Sequence, residues 1–126
     1  MNKEGIPADV RRFVLTSIPS VPFLEALLLL RSAAASGWSA RELARRLYVP
    51  EATGLELLQR LHEAGFAERA GPDTYRYAPA PALAAMVDRL EHCYATRLVD
   101  VTALIHAKVD KRAQQFADAF RWKKEP

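Results

Sequence analysis

The chain has 126 residues, half of them apolar and 26% charged, which suffices for one hydrophobic core and excludes an intrinsically disordered protein. Its formal charge of +3 is unevenly placed. Residues 38–66 hold four basic and four acidic side chains, whereas residues 108–126 hold six and three. The single cysteine, Cys93, excludes an internal disulfide, and Pro19 and Pro22 interrupt the longest apolar stretch. We therefore expect a cytoplasmic protein without a membrane span.

Two helices are predicted before residue 38. The first begins near Pro7, and its apolar residues recur at helical spacing: Val10, Phe13, Val14 and Ile18. The second begins near Pro22 and contains five consecutive apolar residues, 26–30. Such a run is too wide for one stripe, so we expect this helix to be covered on most sides at the centre of the core.

Residues 38–66 carry the signals of two short helices joined by a turn. Ser39 and Glu42 have the spacing of a capping box, in which each side chain satisfies a backbone amide of the other residue. A turn is predicted at residues 48–49, and Pro50 opens the next helix. Gly65 stands where a helix ends in a left-handed residue.

A small hairpin and a long helical region are predicted to follow. Residues 66–69 and 74–78 favour strands, and the sequence between them is typical of a turn. Apolar residues at near-helical spacing then predict one long helix over 82–107 and a final helix beginning near Asp110.

From residue 38 to 78 the chain resembles the winged helix-turn-helix superfamily, whose familiar members include bacterial multiple-antibiotic-resistance-type and arsenic-type repressors. The residues that carry the resemblance are Ser39-Ala40-Arg41-Glu42-Leu43-Ala44-Arg45-Arg46-Leu47, Leu58, Leu61, Glu63-Ala64-Gly65-Phe66 and Tyr75-Arg76-Tyr77. The resemblance implies a mainly α fold, with a winged helix-turn-helix, a small β-hairpin wing and an N-terminal helix in residues 1–79. Residues 80–126 would form a long C-terminal helical extension for dimerisation or packing.

The resemblance also implies duplex DNA as a partner, because the third helix of such a domain lies in the major groove. Helix and wing residues would contact phosphates, and residues of the third helix would face the bases. The expected DNA-binding residues are Arg41, Arg45, Arg46, Thr53, Gln59, Arg60, Arg69 and Arg76. Members of the family typically have a small hydrophobic residue followed by Ser where this chain has Gly54 and Leu55. Glu51 and Glu56 also lie near the start of this helix and would repel phosphates.

The apolar stripe of the long helix would suit the interface of a homodimer, which is common among winged-helix regulators of this size. The expected interface residues are Leu90, Tyr94, Leu98, Val101, Ile105, Phe116 and Phe120. The alternative is that the stripe packs on residues 26–30 of its own chain. Both arrangements hold if the first half packs inside and the second half across the interface.

No motif for catalysis, metal binding or a cofactor is present. The three histidines and Cys93 lack the spacing of zinc ligands, and there is neither a phosphate-binding glycine loop nor a nucleophile elbow. We therefore expect a protein that is not an enzyme. Three hypotheses remain: a dimeric DNA-binding transcriptional regulator, a winged-helix module that binds another protein, and a regulator that senses a ligand. The neutral charge of residues 38–66 favours the second, and Trp38, Tyr75, Tyr77 and Tyr94 would line the ligand pocket of the third.

Overall fold

The computed structural model describes residues 5–124 of the protein, with side-chain surroundings described for residues 5–119. This part of the chain is mainly helical, with six helices and a small antiparallel sheet. The helices are α1 (Ala8–Ser17), α2 (Val21–Ser32), α3 (Ala40–Leu47), α4 (Glu51–Glu63), α5 (Pro81–Thr96) and α6 (Leu98–Lys124), and the strands are β1 (Trp38–Ser39), β2 (Ala67–Gly71) and β3 (Thr74–Tyr77).

Local sequence signals set the ends of α3 and α4. The capping box is confirmed: the Glu42 amide donates to Ser39 Oγ at 3.1 Å, and the Ser39 amide donates to Glu42 Oε1 at 3.1 Å. Tyr48 ends α3 in the left-handed region at φ 59°, and Gly65 follows α4 at φ 87°. Gly65 adopts this angle without strain because it lacks a Cβ, whereas Tyr48 adopts it at a conformational cost.

The three strands form one sheet in the order β1-β3-β2, with antiparallel neighbours. Trp38 pairs with Tyr75, and Ala67 pairs with Tyr77. A bulge between Arg69 and Gly71 shifts the register close to the turn. The sheet thus ties the segment before α3 to the hairpin after α4.

Helix α2 lies at the centre of the core, as its apolar run predicts. Its residues Leu24, Leu27 and Leu30 are fully buried, and the core they belong to also includes residues of α1, α3, α4, α5 and α6. Phe66, just after α4, meets the rings of Phe13 and Phe23 edge to face. One hydrophobic core therefore joins residues of all six helices.

The C-terminal half differs from the sequence expectation. Instead of one helix over 82–107, α5 ends at Thr96, and Arg97 leaves helical geometry at φ −140° and ψ 52°. Instead of a new helix near Asp110, α6 continues through that residue without a break. The break lets both helices fold back on the body of the protein, where the long stripe can be buried on its own chain.

This packing leaves three of the residues predicted for the dimer interface inaccessible to a partner. Leu90, Val101 and Ile105 have no exposed surface, because they are buried in the core of their own chain. A partner of the chain as folded here would not contact them. Tyr94 is half-buried and Leu98 is exposed.

Helix α6 leaves the body after residue 108. The ammonium group of Lys108 donates to the Val14 and Ile18 carbonyl oxygens at 3.3 and 3.0 Å, which fixes α6 to the end of α1. Every side chain from residue 109 to 119 is exposed, and Phe116 is 74% exposed. The side chain of Phe120 lies outside the described residues.

No single helix among residues 5–124 has both the length and the apolar character needed to cross a membrane. Only α1 and α2 taken together reach that length and composition, and they are bent by 109° at their junction.

Candidate nucleic-acid interface

Helices α3 and α4 approach each other closely, and Gly54 is the residue that permits it. A Cβ at position 54 would lie 2.6 Å from Ala40 O and 3.1 Å from Ala44 Cβ. Gly54 is buried in this contact, while residues on the opposite side of α4 are exposed. The pair therefore presents one face of α4 to solvent, with α3 fixed behind it.

The three arginines of α3 are all exposed, and they differ in what they contact. The guanidinium of Arg46 lies over the Trp38 ring, 5.6 Å from its centroid. Within residues 5–124, neither Arg41 nor Arg45 forms an ion pair or a side-chain hydrogen bond. These two residues are one helical turn apart, so their guanidiniums leave the same side of α3.

The residues of α4 predicted to face bases have different surroundings. Gln59 is exposed, whereas Thr53 is half-buried. Arg60 is exposed but donates to Glu56 Oε2 at 3.1 Å, one turn earlier on the helix. Such exposed pairs contribute little to stability, yet this one neutralises a carboxylate on the outer face. Leu55 is 42% exposed.

The two arginines of the hairpin are both engaged. Arg69 donates to the Pro72 carbonyl oxygen at 2.9 Å and lies over the Tyr75 ring, 5.7 Å from its centroid. Arg76 donates to Glu68 Oε2 on the neighbouring strand, at 2.6 Å from one nitrogen. To bind a phosphate, each of these guanidinium groups would have to give up the contact that it makes in this structure.

Tyr48 is a candidate contact that sequence reasoning missed. Its side chain is 94% exposed in the turn between α3 and α4, and its backbone has positive φ. The Tyr48 side chain is therefore available for contact with another molecule. The sequence predicts a turn at residues 48–49, but it carries no signal that the Tyr48 side chain is exposed there.

Two cavities adjoin this surface. The first, here called the α3 cavity, has a volume of about 430 Å³, and its lining includes Ser36, Gly37, Trp38, Glu42, Arg45 and Arg46. The second, of about 490 Å³, is lined by Leu28, Leu47, Tyr48 and Tyr94 among others.

The four aromatic residues expected around a ligand do not converge. Trp38 and Tyr94 line different cavities, and Tyr75 is buried in the core. Burial, and to a smaller extent the charge of Asp88, raises the pKa of Tyr77 above its ordinary value. Its hydroxyl has no hydrogen-bond partner among residues 5–124.

No cluster of three histidine, cysteine, aspartate or glutamate side chains in the described part of the chain could hold a metal ion. Comparisons with family models, with curated proteins and with solved structures found no match to this chain. A functional assignment therefore depends on the geometry of the chain itself.

Proposed function

We propose that residues 21–77 form a winged helix-turn-helix and that the protein is a homodimeric transcriptional regulator binding duplex DNA. The order α2-β1-α3-α4-β2-β3 supports this proposal, because it is the order in which such a domain places its helices and its wing. Helix α4 then takes the role of the helix that enters the major groove. The hairpin of β2 and β3 takes the role of the wing.

The observation that carries the proposal is the pair of unengaged arginines, Arg41 and Arg45, on the exposed surface of α3, the helix that packs against α4 at Gly54. Neither has an ion-pair partner within residues 5–124, so binding a phosphate would break no existing pair. Phosphate contacts fix the position of a protein on the duplex and supply most of its salt-dependent affinity. These two residues therefore position α4 in the proposed complex.

Base contact is assigned chiefly to Gln59, which is exposed and free to pair with adenine. Arg60 is a second candidate once it leaves Glu56, and Thr53 contributes less because it is half-buried. Arg69 and Arg76 reach phosphates only by giving up their present contacts, so we rank the wing below α3.

The homodimer is assigned to the exposed part of α6. Val109 and Phe116 lie seven residues apart on α6, and both are exposed. Residues at this spacing lie on one face of a helix, which suits a seam between two α6 helices. A two-fold dimer would place two copies of α4 on one duplex.

The first experiment is a fluorescence-anisotropy titration of labelled random-sequence duplex at several salt concentrations. The double variant Arg41→Gln/Arg45→Gln is compared with Arg11→Gln/Arg12→Gln, which removes the same charge from α1. We expect the α3 variant to lower the slope of log affinity against log salt by about two, since each lost phosphate contact removes about one. The α1 variant should retain the wild-type slope. Absence of binding at low salt, or equal losses in both variants, would refute DNA binding through α3.

Oligomeric state is tested by light scattering after size exclusion. Phe116→Asp should give a monomer, because the charge would be buried in the seam, while Gln115→Asp adds the same charge beside it and should leave the dimer intact. A monomeric wild type would refute the dimer.

We propose a protein-interaction module as the second candidate, on the exposure of Tyr48 and Leu55. Aromatic and aliphatic side chains of this kind supply the centre of many protein interfaces. In this case the wild-type protein would not bind the duplex, and Tyr48→Ser would abolish binding of the protein partner. If Tyr48→Ser lowers DNA affinity instead, Tyr48 belongs to the DNA interface and this second candidate is refuted.

A further inference from the structure

The α3 cavity gathers hydrogen-bond donors that no residue of the described chain uses. Arg45 borders it without an ion-pair partner, and Arg46 borders it with only the Trp38 ring beneath its guanidinium. These two neighbouring residues bring two positive charges and two planar forks of N–H groups to one cavity.

The one carboxylate of the cavity does not cancel these charges. Glu42 Oε1 accepts from the Ser39 amide at 3.1 Å and from Ser39 Oγ at 3.3 Å, so it is held at the start of α3. No ion pair joins Glu42 to either arginine. The formal charge of the cavity lining is therefore +1, and the guanidiniums remain open to an anion.

Trp38 forms part of the cavity lining beneath Arg46. Its side chain is only 7% exposed, and the guanidinium of Arg46 lies 5.6 Å from the centroid of its ring. A ligand held by Arg46 would therefore change the surroundings of the indole ring.

We propose that the α3 cavity binds a small phosphate monoester between Arg45 and Arg46. Such an ester carries close to two negative charges at neutral pH and three acceptor oxygens, which match two guanidinium forks better than one carboxylate does. The volume of about 430 Å³ lies within the range of small-molecule sites. The site goes beyond the proposed DNA contact, since it takes a free ligand in the absence of DNA.

The test is a titration of the folded protein with phenyl phosphate, without DNA, followed by the indole N–H resonance of Trp38 in ¹⁵N-edited NMR spectra. Trp122→Phe leaves a single indole resonance and makes its assignment unambiguous. We expect a saturable shift of this resonance with phenyl phosphate, because Arg46 lies over the Trp38 ring, and none with phenol, which has the same ring without the charge. No shift at about 10 mM phenyl phosphate, well above a millimolar dissociation constant, or an equal shift with phenol, would overturn the proposal.

Arginine variants test the site itself. Arg45→Gln/Arg46→Gln should weaken phenyl phosphate binding by at least about tenfold, because charge-assisted hydrogen bonds are lost. Arg12→Gln removes an exposed charge from α1, outside the cavity, and should change affinity less than about twofold, as expected for a screened surface charge. Wild-type affinity for phenyl phosphate in the double variant, or an equal loss of affinity in Arg12→Gln, would overturn the site.

DNA binding is measured separately with a duplex that lacks terminal phosphates. If this duplex binds through Arg45 while phenyl phosphate produces no indole shift, the arginines serve backbone phosphates alone and the monoester site is refuted. If phenyl phosphate binds and the duplex does not, the site stands and the proposed DNA function fails.

Discussion

Replacing Gly54 by alanine tests the close contact of α3 and α4 on which the candidate interface depends. The added Cβ would lie 2.6 Å from Ala40 O, 3.1 Å from Ala44 Cβ and 3.2 Å from Ala44 N. Nonbonded heavy atoms rest at about 3.5–4.0 Å, and the nearest atoms here belong to the α3 backbone, which cannot turn aside as a flexible side chain can. The two helices would therefore have to separate.

The expected cost follows from two opposing effects. Alanine favours a helix over glycine by about 1 kcal/mol, which would stabilise α4. Forcing an extra carbon into a packed contact costs about 1–3 kcal/mol, and the 2.6 Å contact with a backbone oxygen places Gly54→Ala in the upper part of that range. We expect a net loss of about 1–2 kcal/mol in the free energy of unfolding.

Urea denaturation followed by circular dichroism measures this loss as a lower midpoint with an unchanged slope. The control is Ala52→Gly, an exposed site on the same helix, where only helix propensity changes and the loss should be about 0.5–1 kcal/mol. A Gly54→Ala protein as stable as the wild type, or more so, would show that helix propensity outweighs the contact and would refute the reasoning.

Two further predictions concern Tyr77 and Lys108. Because the pKa of Tyr77 is raised by burial, its contribution to stability is present below about pH 10 and is lost as the pH rises through the folded-state pKa. Tyr77→Phe should therefore lose less stability than the wild type between pH 9 and 11 in denaturation experiments, and an equal loss in the two proteins would contradict the assignment. Lys108→Met removes two hydrogen bonds to carbonyls at the end of α1 and should cost about 1–2 kcal/mol, with faster amide exchange in α6. Lys111→Met, at an exposed position, should change neither, and a Lys108→Met protein with wild-type exchange would contradict the assigned anchoring.

Parts of the candidate site could be predicted because their determinants are local. The capping box of Ser39 and Glu42 and the glycine at 65 act within a few residues of chain, so their spacing alone placed the ends of α3 and α4. Exposure of the α3 arginines also followed from helical periodicity. The contacts of the arginines could not be predicted in this way. Arg76 contacts Glu68 because of the register between β2 and β3, and Arg46 contacts Trp38 only in the folded chain.

The sequence by itself determined where short helices begin and stop, since capping groups and left-handed glycines depend on neighbouring backbone amides and carbonyls. Only the tertiary structure decided how the C-terminal half is used. Arg97 carries no proline or glycine signal, yet the chain breaks there because folding α5 and α6 back on α1 and α2 buries Leu90 and Val101 in one core. A stripe of apolar residues along a helix predicts that this surface is buried, but only the packed chain shows which residues cover it.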